Sequence, residues 1–329
     1  QNAYFINLAN YTTDTGEIGG NLGIQLGEFD SIRFNINYNY TNLKGSLNSS
    51  EEVLQYLLSF THDPLDSNYG FNYIPISLGY VHDTLNRAIF PTDGGAERVS
   101  LLATPPVFSD SVSFYKASIK SQHYFPVAKD LTLMIMGEVA YGDSFDTPEG
   151  VPSGLPFWEN YFAGGPQVMR GFFPSSLGPR TLPNQFGQGG NLSLGGSSKL
   201  VGSIELLTPV PFISDSKNMR IGAFLDIGNI YCGAFNVPQV PSGGSFPKAG
   251  TPANESNKAH PSCLADATAV MQGLEGVNYS AGDFLRFSPG LTARWLSPFG
   301  ALGVSVAMPI NQQQGDRTQL FQFSFGQAF

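Results

Sequence analysis

Apolar and polar residues alternate along much of this chain. Ile32, Phe34, Ile36, Tyr38 and Tyr40 interleave with Arg33, Asn35, Asn37, Asn39 and Thr41, a period of two held for about ten residues. The same rhythm runs through 18–26, 131–141 and 199–207; in the last of these Leu200, Ile204 and Leu206 oppose Lys199, Ser203 and Glu205. Near the end of the sequence Phe321, Phe323 and Phe325 alternate with Gln322 and Ser324. Segments 3–9, 73–83, 98–104, 114–125, 219–231, 284–296, 302–308 and 317–329 complete a set of about twelve predicted strands. Many of them approach the ~9 to 11 residues that cross a bilayer at a barrel tilt, against ~5 to 6 in soluble sheets.

The predicted connections alternate in length. Those at 27–30, 128–130 and 297–300 are short, whereas 43–71, 142–195 and 232–282 are long, as when tight turns face the periplasm and large loops face outward. Ser50-Glu51-Glu52 followed by Val53, Leu54, Leu57 and Leu58 predicts a short helix with acidic residues in its first turn. Pro91 to Gly95 reads as a turn, its Asp93-Gly94 pair suited to positive φ. Tyr38, Tyr40, Tyr80, Tyr124, Tyr141 and Trp295 fall near predicted strand ends, where an aromatic girdle would lie.

Composition turns this pattern toward the membrane. Only 13% of the 329 residues are charged, where a soluble surface usually needs about 25%. No apolar run approaches the roughly 18 residues of a spanning helix, but alternating strands hide their hydrophobicity from such a count. A net charge of -9 excludes the basic face that nucleic acid requires. His62, His82, His123 and His260 lack ligand spacing, and no metal site, cofactor loop or catalytic triad is visible. Cys232 and Cys263 share one long segment rich in Pro, Ser and Gly, which reads as a loop disulfide or as two free thiols.

The long 142–195 segment carries Pro156-Phe157-Trp158-Glu159-Asn160-Tyr161-Phe162-Ala163-Gly164-Gly165 and then Val168-Met169-Arg170-Gly171-Phe172. A loop of that length, dense in aromatics and glycines, is expected to be ordered and functional. It resembles the inward-folded sixth loop of the outer-membrane barrel family that includes BamA, TamA and the two-partner secretion transporters. Arg170, Gly171 and Phe172 match the family's Arg-Gly-Phe tip, with Met169 inserted in its shortest form. Residues 87–94, 206–212 and 224–228 resemble further family motifs in the same order, and the turns at 91–94 and 211–215 favour the BamA branch. Phe321, Phe323, Phe325, Gly326 and Phe329 resemble the family's C-terminal β-signal, on the strand that borders its lateral seam.

Parity locates the acids independently. If Leu200, Ile204 and Leu206 face lipid, Glu205 points into the lumen; if Ile221, Ala223, Leu225 and Ile227 face lipid, so does Asp226. The Arg170 guanidinium can then meet them in a charge-assisted fork, a pairing the resemblance also implies; the alternative is a solvated arginine above ordinary pore-lining carboxylates.

The expected fold is an all-β, antiparallel transmembrane barrel over 1–329. The resemblance implies sixteen strands preceded by POTRA domains, and 3–9 resembles the family's fifth strand, so the sequence reads as part of a longer protein. It further implies a non-enzymatic insertase in the bacterial outer membrane, acting by templated strand addition at a lateral seam. The implied partners are unfolded outer-membrane proteins, accessory lipoproteins, lipid and lipopolysaccharide. A two-partner-secretion-type exporter, a TamA-like translocation factor and a gated channel are the other readings.

Overall fold

The computed structural model describes residues 11–61, 68–108, 111–145, 154–181, 190, 192–211, 218–231, 285–298, 300–312 and 316–325. In chain order the elements are β1 (Thr12–Gln25), β2 (Asp30–Lys44), α1 (Glu51–Thr61), β3 (Asn68–Tyr73), β4 (Ile76–Asp83), β5 (Gly94–Ala103), β6 (Phe114–Ala128) and β7 (Leu131–Ser144). A 3₁₀ turn (Phe157–Glu159) precedes β8 (Gly171–Phe172), β9 (Ser198–Pro209), β10 (Met219–Tyr231), β11 (Arg286–Ser297), β12 (Gly300–Ala307), β13 (Thr318–Gln319) and β14 (Phe321–Phe325). Twelve strands form one sheet in the order β1-β2-β4-β5-β6-β7-β9-β10-β11-β12-β14, with β3 beside β2. Every pairing in it is antiparallel.

One face of this sheet is apolar and bare. Ile18, Leu22, Phe34, Ile36, Leu78, Leu101, Ile119, Ile135, Val139, Ile204, Leu206, Leu225, Leu291, Val306, Phe321, Phe323 and Phe325 all stay exposed. The opposite face holds Thr132, Ser203, Glu205, Asp226, Ser288, Thr292, Ser305 and Gln322, all buried. In water this arrangement is inverted; against lipid it is what a barrel wall requires, since the strands satisfy each other's main chains and apolar side chains face the hydrocarbon. Among the described residues no helix is long and apolar enough to cross a membrane.

Inside, two apolar clusters hold the long 142–195 segment. At the long-connection end Leu43, Tyr56, Leu57, Phe71, Phe114, Leu155 and Phe157 are buried together, so α1 and β3 clamp the 3₁₀ turn. Tyr56 meets Phe157 edge-on at 5.5 Å and Trp158 at 5.3 Å. Deeper in the lumen Ala163, Met169, Phe172, Leu177, Val201 and Ile230 form the second cluster.

Several boundaries differ from the periodicity for identifiable reasons. The strand expected over 73–83 is broken at Pro75, which has no N–H: Tyr73 ends β3, β4 starts at Ile76, and the Pro75 carbonyl accepts from Asn37 N–H at 3.1 Å. β2 pairs with both halves. β5 starts at Gly94, whose φ of 93° follows the Asp-Gly turn, and β6 runs on past Pro126 through a bulge. The expected 43–71 and 142–195 loops lose their ends to β2, β3 and β7, and the helix spans Glu51–Thr61. Tyr124, expected in the girdle, is buried in the lumen because its neighbour Phe125 takes the lipid parity. Segment 317–329 is not one strand: β13 leaves the main sheet to pair with β8. The predicted strand 3–9 and loop 232–282 lie outside the described residues.

Candidate functional site

The site is the tip of the inward segment, where Met169, Arg170, Gly171 and Phe172 are all buried. A tight turn sets it up: Met169 N–H donates to the Gly165 carbonyl at 3.2 Å, while Gly165 N–H donates to the Phe172 carbonyl at 3.0 Å. Gly171 then takes φ of 86°, a left-handed conformation that costs an L side chain strain. A Cβ there would also lie 2.5 Å from Ser288 Oγ and 3.0 Å from Ala307 Cβ. Only glycine lets the tip lie this close to the β11–β12 wall.

Arg170 makes a fork. Its Nε donates to Asp226 Oδ2 at 2.8 Å, its Nη2 to Asp226 Oδ1 at 2.7 Å, and its backbone N–H to Asp226 Oδ2 at 2.9 Å. Nη2 also donates to Ser203 Oγ at 3.0 Å, and Nη1 to Glu205 Oε2 at 3.3 Å. The guanidinium carbon stands 3.4 Å from the centre of the Phe224 ring, adding a cation–π contact. Burial works against the Arg170 charge, but the Asp226 hydrogen bonds and the Asp226 and Glu205 charges outweigh it and hold the guanidinium's pKa above its ordinary value. Planar bidentate geometry of this kind suits arginine and no other cation.

Two further groups close the site. Arg294 Nη2 donates to Glu205 Oε2 at 2.6 Å, so that carboxylate is shared between two guanidiniums. Gln322 on β14 turns inward, accepting from Gly171 N–H at 3.2 Å and donating to the Phe172 carbonyl at 2.6 Å. β8 and β13 continue this link as a two-stranded ribbon, and Phe173 N–H donates to the Arg317 carbonyl at 2.7 Å. A cavity of about 610 Å³ opens beside the tip, lined by Arg98, Lys120, Glu205, Arg294 and Gln322 among others.

The structure therefore brings together Arg170, Gly171, Phe172, Glu205 and Asp226, with Met169 packed behind them and Val168 against the second apolar cluster. Phe321, Phe323 and Phe325 stand apart on the bare outer face. Gly326, Phe329, Cys232 and Cys263 lie outside the described residues, as does most of the 211–215 turn. His82 and His123 sit on the outer wall beside Asp30 and Glu97, and His62 and His260 are not described. Sequence reasoning missed Ser203, Arg294 and Gln322 as members of the site. Their inward parity was available in the alternation, but nothing local said which loop they would meet.

A second buried ion cluster lies next to the tip. Arg286 donates to both oxygens of Asp316, at 2.9 and 3.0 Å, and to Asn229 Oδ1 at 2.6 Å. Arg180 approaches the same carboxylate at 4.0 Å. Asp316 precedes β13, so the cluster joins the inward segment, β10, β11 and the approach to β14.

Comparison with known proteins agrees with this geometry. BamA, the outer membrane protein assembly factor of Neisseria meningitidis serogroup B, is 25% identical over 325 residues, covering 97% of this chain and 37% of that protein. A SAM50-like protein of Schizosaccharomyces pombe is 25% identical over 158 residues, 47% of this chain and 30% of its own. The crystal structure of Haemophilus ducreyi BamA lacking POTRA domains 1–3 superposes with a TM-score of 0.77 at 24% identity, covering 98% of this chain and 56% of that one. The chain thus spans little more than a third of the full-length relative it matches, and its fold is that of a BamA-like outer-membrane barrel. With the Omp85 superfamily domain model matching residues 2–329, the chain belongs to the Omp85 superfamily.

Proposed function

We propose that this barrel is the membrane portion of a non-enzymatic insertase that folds β-barrel proteins into the outer membrane by templated strand addition at a seam bordered by β14. The observation that carries the reading is the hold on β14. Among the described residues it is the last strand of the sheet, paired with β12 along one edge. Its remaining support comes from the lumen, through Gln322 and the β8–β13 ribbon. A strand at the end of the sheet that is steadied from within suits an edge that must part and accept a client strand through main-chain hydrogen bonds.

The inward segment speaks against a wide open channel: residues 154–181, held by two apolar clusters, lie within the lumen above the cavity beside the tip. Clients on this reading are unfolded outer-membrane proteins; accessory lipoproteins, lipid and lipopolysaccharide are the other partners, following the BamA likeness. The test is the full-length protein in proteoliposomes given a urea-unfolded barrel protein, with folding read by heat-modifiable gel mobility. Several-fold faster folding than in empty liposomes is expected. Equal rates, or a large steady conductance in planar bilayers, would overturn the proposal.

A further inference from the structure

The bare outer wall gives way to ionisable residues toward its two ends, with Asp14 and Lys44 paired at the long-connection end. Near the short-turn ends of β2, β4, β5 and β6 stand Asp30, His82, Glu97 and His123, an acid and an imidazole in alternation across four adjacent strands. The register makes them neighbours: Asp30 opposes His82, His82 opposes Glu97, and Gly95, two residues before Glu97, opposes His123. His82 Nδ1 lies 2.8 Å from Asp30 Oδ1, and His123 Nε2 lies 2.7 Å from Glu97 Oε1. All four side chains are about a third exposed, between 32% and 42%.

Their outward direction follows from strand parity. Asp30 shares a face with Phe34 and Ile36, His82 with Leu78 and Tyr80, and Glu97 with Leu101; His123 shares one with Ile119 and Phe125. Charged side chains on a lipid-facing wall are tolerated near the interface and not at mid-membrane, so this ladder marks the headgroup level on the short-turn side. Aromatic rings flank it as they flank membrane interfaces: Phe29 against His82 at 6.4 Å, Phe125 stacked on His123 at 6.0 Å, and Tyr80 donating to Asp30 Oδ1 at 2.5 Å.

The ladder is built with its second atoms left over. Asp30 takes both of its partners through Oδ1 and leaves Oδ2, whereas Glu97 Oε2 is buried without a hydrogen-bond partner. Each imidazole spends one nitrogen on a carboxylate, leaving His82 Nε2 and His123 Nδ1. Gly95 makes the second pair possible, because a Cβ there would lie 2.3 Å from His123 Nδ1.

We propose that this ladder is a binding site for a zwitterionic phospholipid headgroup bearing a primary ammonium, of the phosphoethanolamine type. The ammonium donates hydrogen bonds to Asp30 Oδ2, and the phosphate accepts from His82 Nε2 and His123 Nδ1, which both carry a hydrogen in the doubly protonated rings. A phosphocholine headgroup has the same charges but no ammonium N–H, so it satisfies only half of the site.

The experiment places the full-length protein in nanodiscs holding equal amounts of phosphatidylethanolamine and phosphatidylcholine and counts retained lipids by native mass spectrometry after controlled activation. The wild type is expected to retain the ethanolamine lipid about fivefold over the choline lipid, and the double variant Asp30→Asn, Glu97→Gln to lose that preference. His82→Gln with His123→Gln is expected to lower retention of both lipids. Heat-modifiable mobility identifies variants that still fold, and only those are scored; Asp30→Asn alone serves if the double variant does not. No preference in the wild type, or an unchanged preference in the folded acid variant, overturns the proposal.

Discussion

Gln322 holds Phe172 from 150 residues away in sequence, its Nε2 donating to the Phe172 carbonyl at 2.6 Å while its Oε1 accepts from Gly171 N–H. One buried amide thus ties the loop tip to the strand at the end of the sheet. Since the adjacent Arg170 is fixed to Asp226, three consecutive loop residues connect β9 and β10 to β14.

Gln322→Leu removes both hydrogen bonds and leaves a buried N–H and a buried carbonyl without that partner. The cost is expected to be about 1–3 kcal/mol. Because β14 is the last strand of the sheet among the described residues, the loss should appear locally. Amide exchange over 318–325 is expected to quicken roughly tenfold or more while exchange in β6 and β7 stays unchanged; uniform behaviour along the chain would contradict the tether.

Arg170→Ala strands Asp226 in the dry interior, a loss of about 3–5 kcal/mol by analogy with broken buried pairs. Glu205 suffers less, since Arg294 still neutralises it at 2.6 Å. Arg170→Lys is expected to recover little, because one ammonium cannot serve two carboxylate oxygens, Ser203 and Glu205 from the same position. Heat-modifiable mobility and depletion–complementation of the full-length gene check both variants, and full rescue by lysine would show that charge alone matters.

Gly171→Ala is a sharper test of geometry. The substitution adds one methyl at φ of 86° and pushes it against Ser288 and Ala307, so strain and overlap act together. Ser288→Gly in the same chain relieves the shortest of three contacts, leaving those with Ala307 and Pro309. Partial recovery of tip protection in the double variant is expected; no recovery would assign the defect to backbone strain and the two remaining contacts.

The wall and the acids were legible in the sequence because a two-residue period leaves its mark on every strand, placing Glu205 and Asp226 on the inner face before any coordinates. Arg170 was legible through the Arg-Gly-Phe resemblance, not through periodicity. Gln322 was half legible: its parity between Phe321 and Phe323 sends it inward, but its partner depends on how far the 154–181 segment descends. Asp316 and Arg286 were not legible at all as a pair, since one lies in a connection with no period and the other begins a strand. The β3–β4 break was hidden for a different reason, namely that a proline beside a strand end and a proline inside a strand look alike until the neighbouring ladder is known.

Phe157 anchors the upper end of the plug, fully buried among Tyr11, Tyr56 and Trp158 with ring centroids at 4.7, 5.5 and 5.1 Å. Phe157→Ala empties that position at a cost of about 3–5 kcal/mol. Limited proteolysis should then cut sooner within α1, whose Tyr56 loses its edge-on partner. Retained protection of α1 would mean that the clamp rests on Phe71 and Trp158 instead.

The Arg286–Asp316 cluster allows its own sign to be tested. Arg286 is fully enclosed, and removing Asp316 takes away its bidentate carboxylate together with the one that Arg180 approaches at 4.0 Å. Each of Asp316→Leu and Arg286→Met is therefore expected to cost about 3–5 kcal/mol, because each removes one member of a buried bidentate ion pair. Combined, they replace a buried ion pair with apolar groups of similar size, and the double variant is expected to lie closer to the wild type than either single one. Protection of the β8–β13 amides in hydrogen exchange reads the effect where the cluster acts. Additive losses would show that the pair contributes through packing of two independent side chains, and that the bidentate contact of Arg286 with Asp316 is not what holds the approach to β14 against the loop.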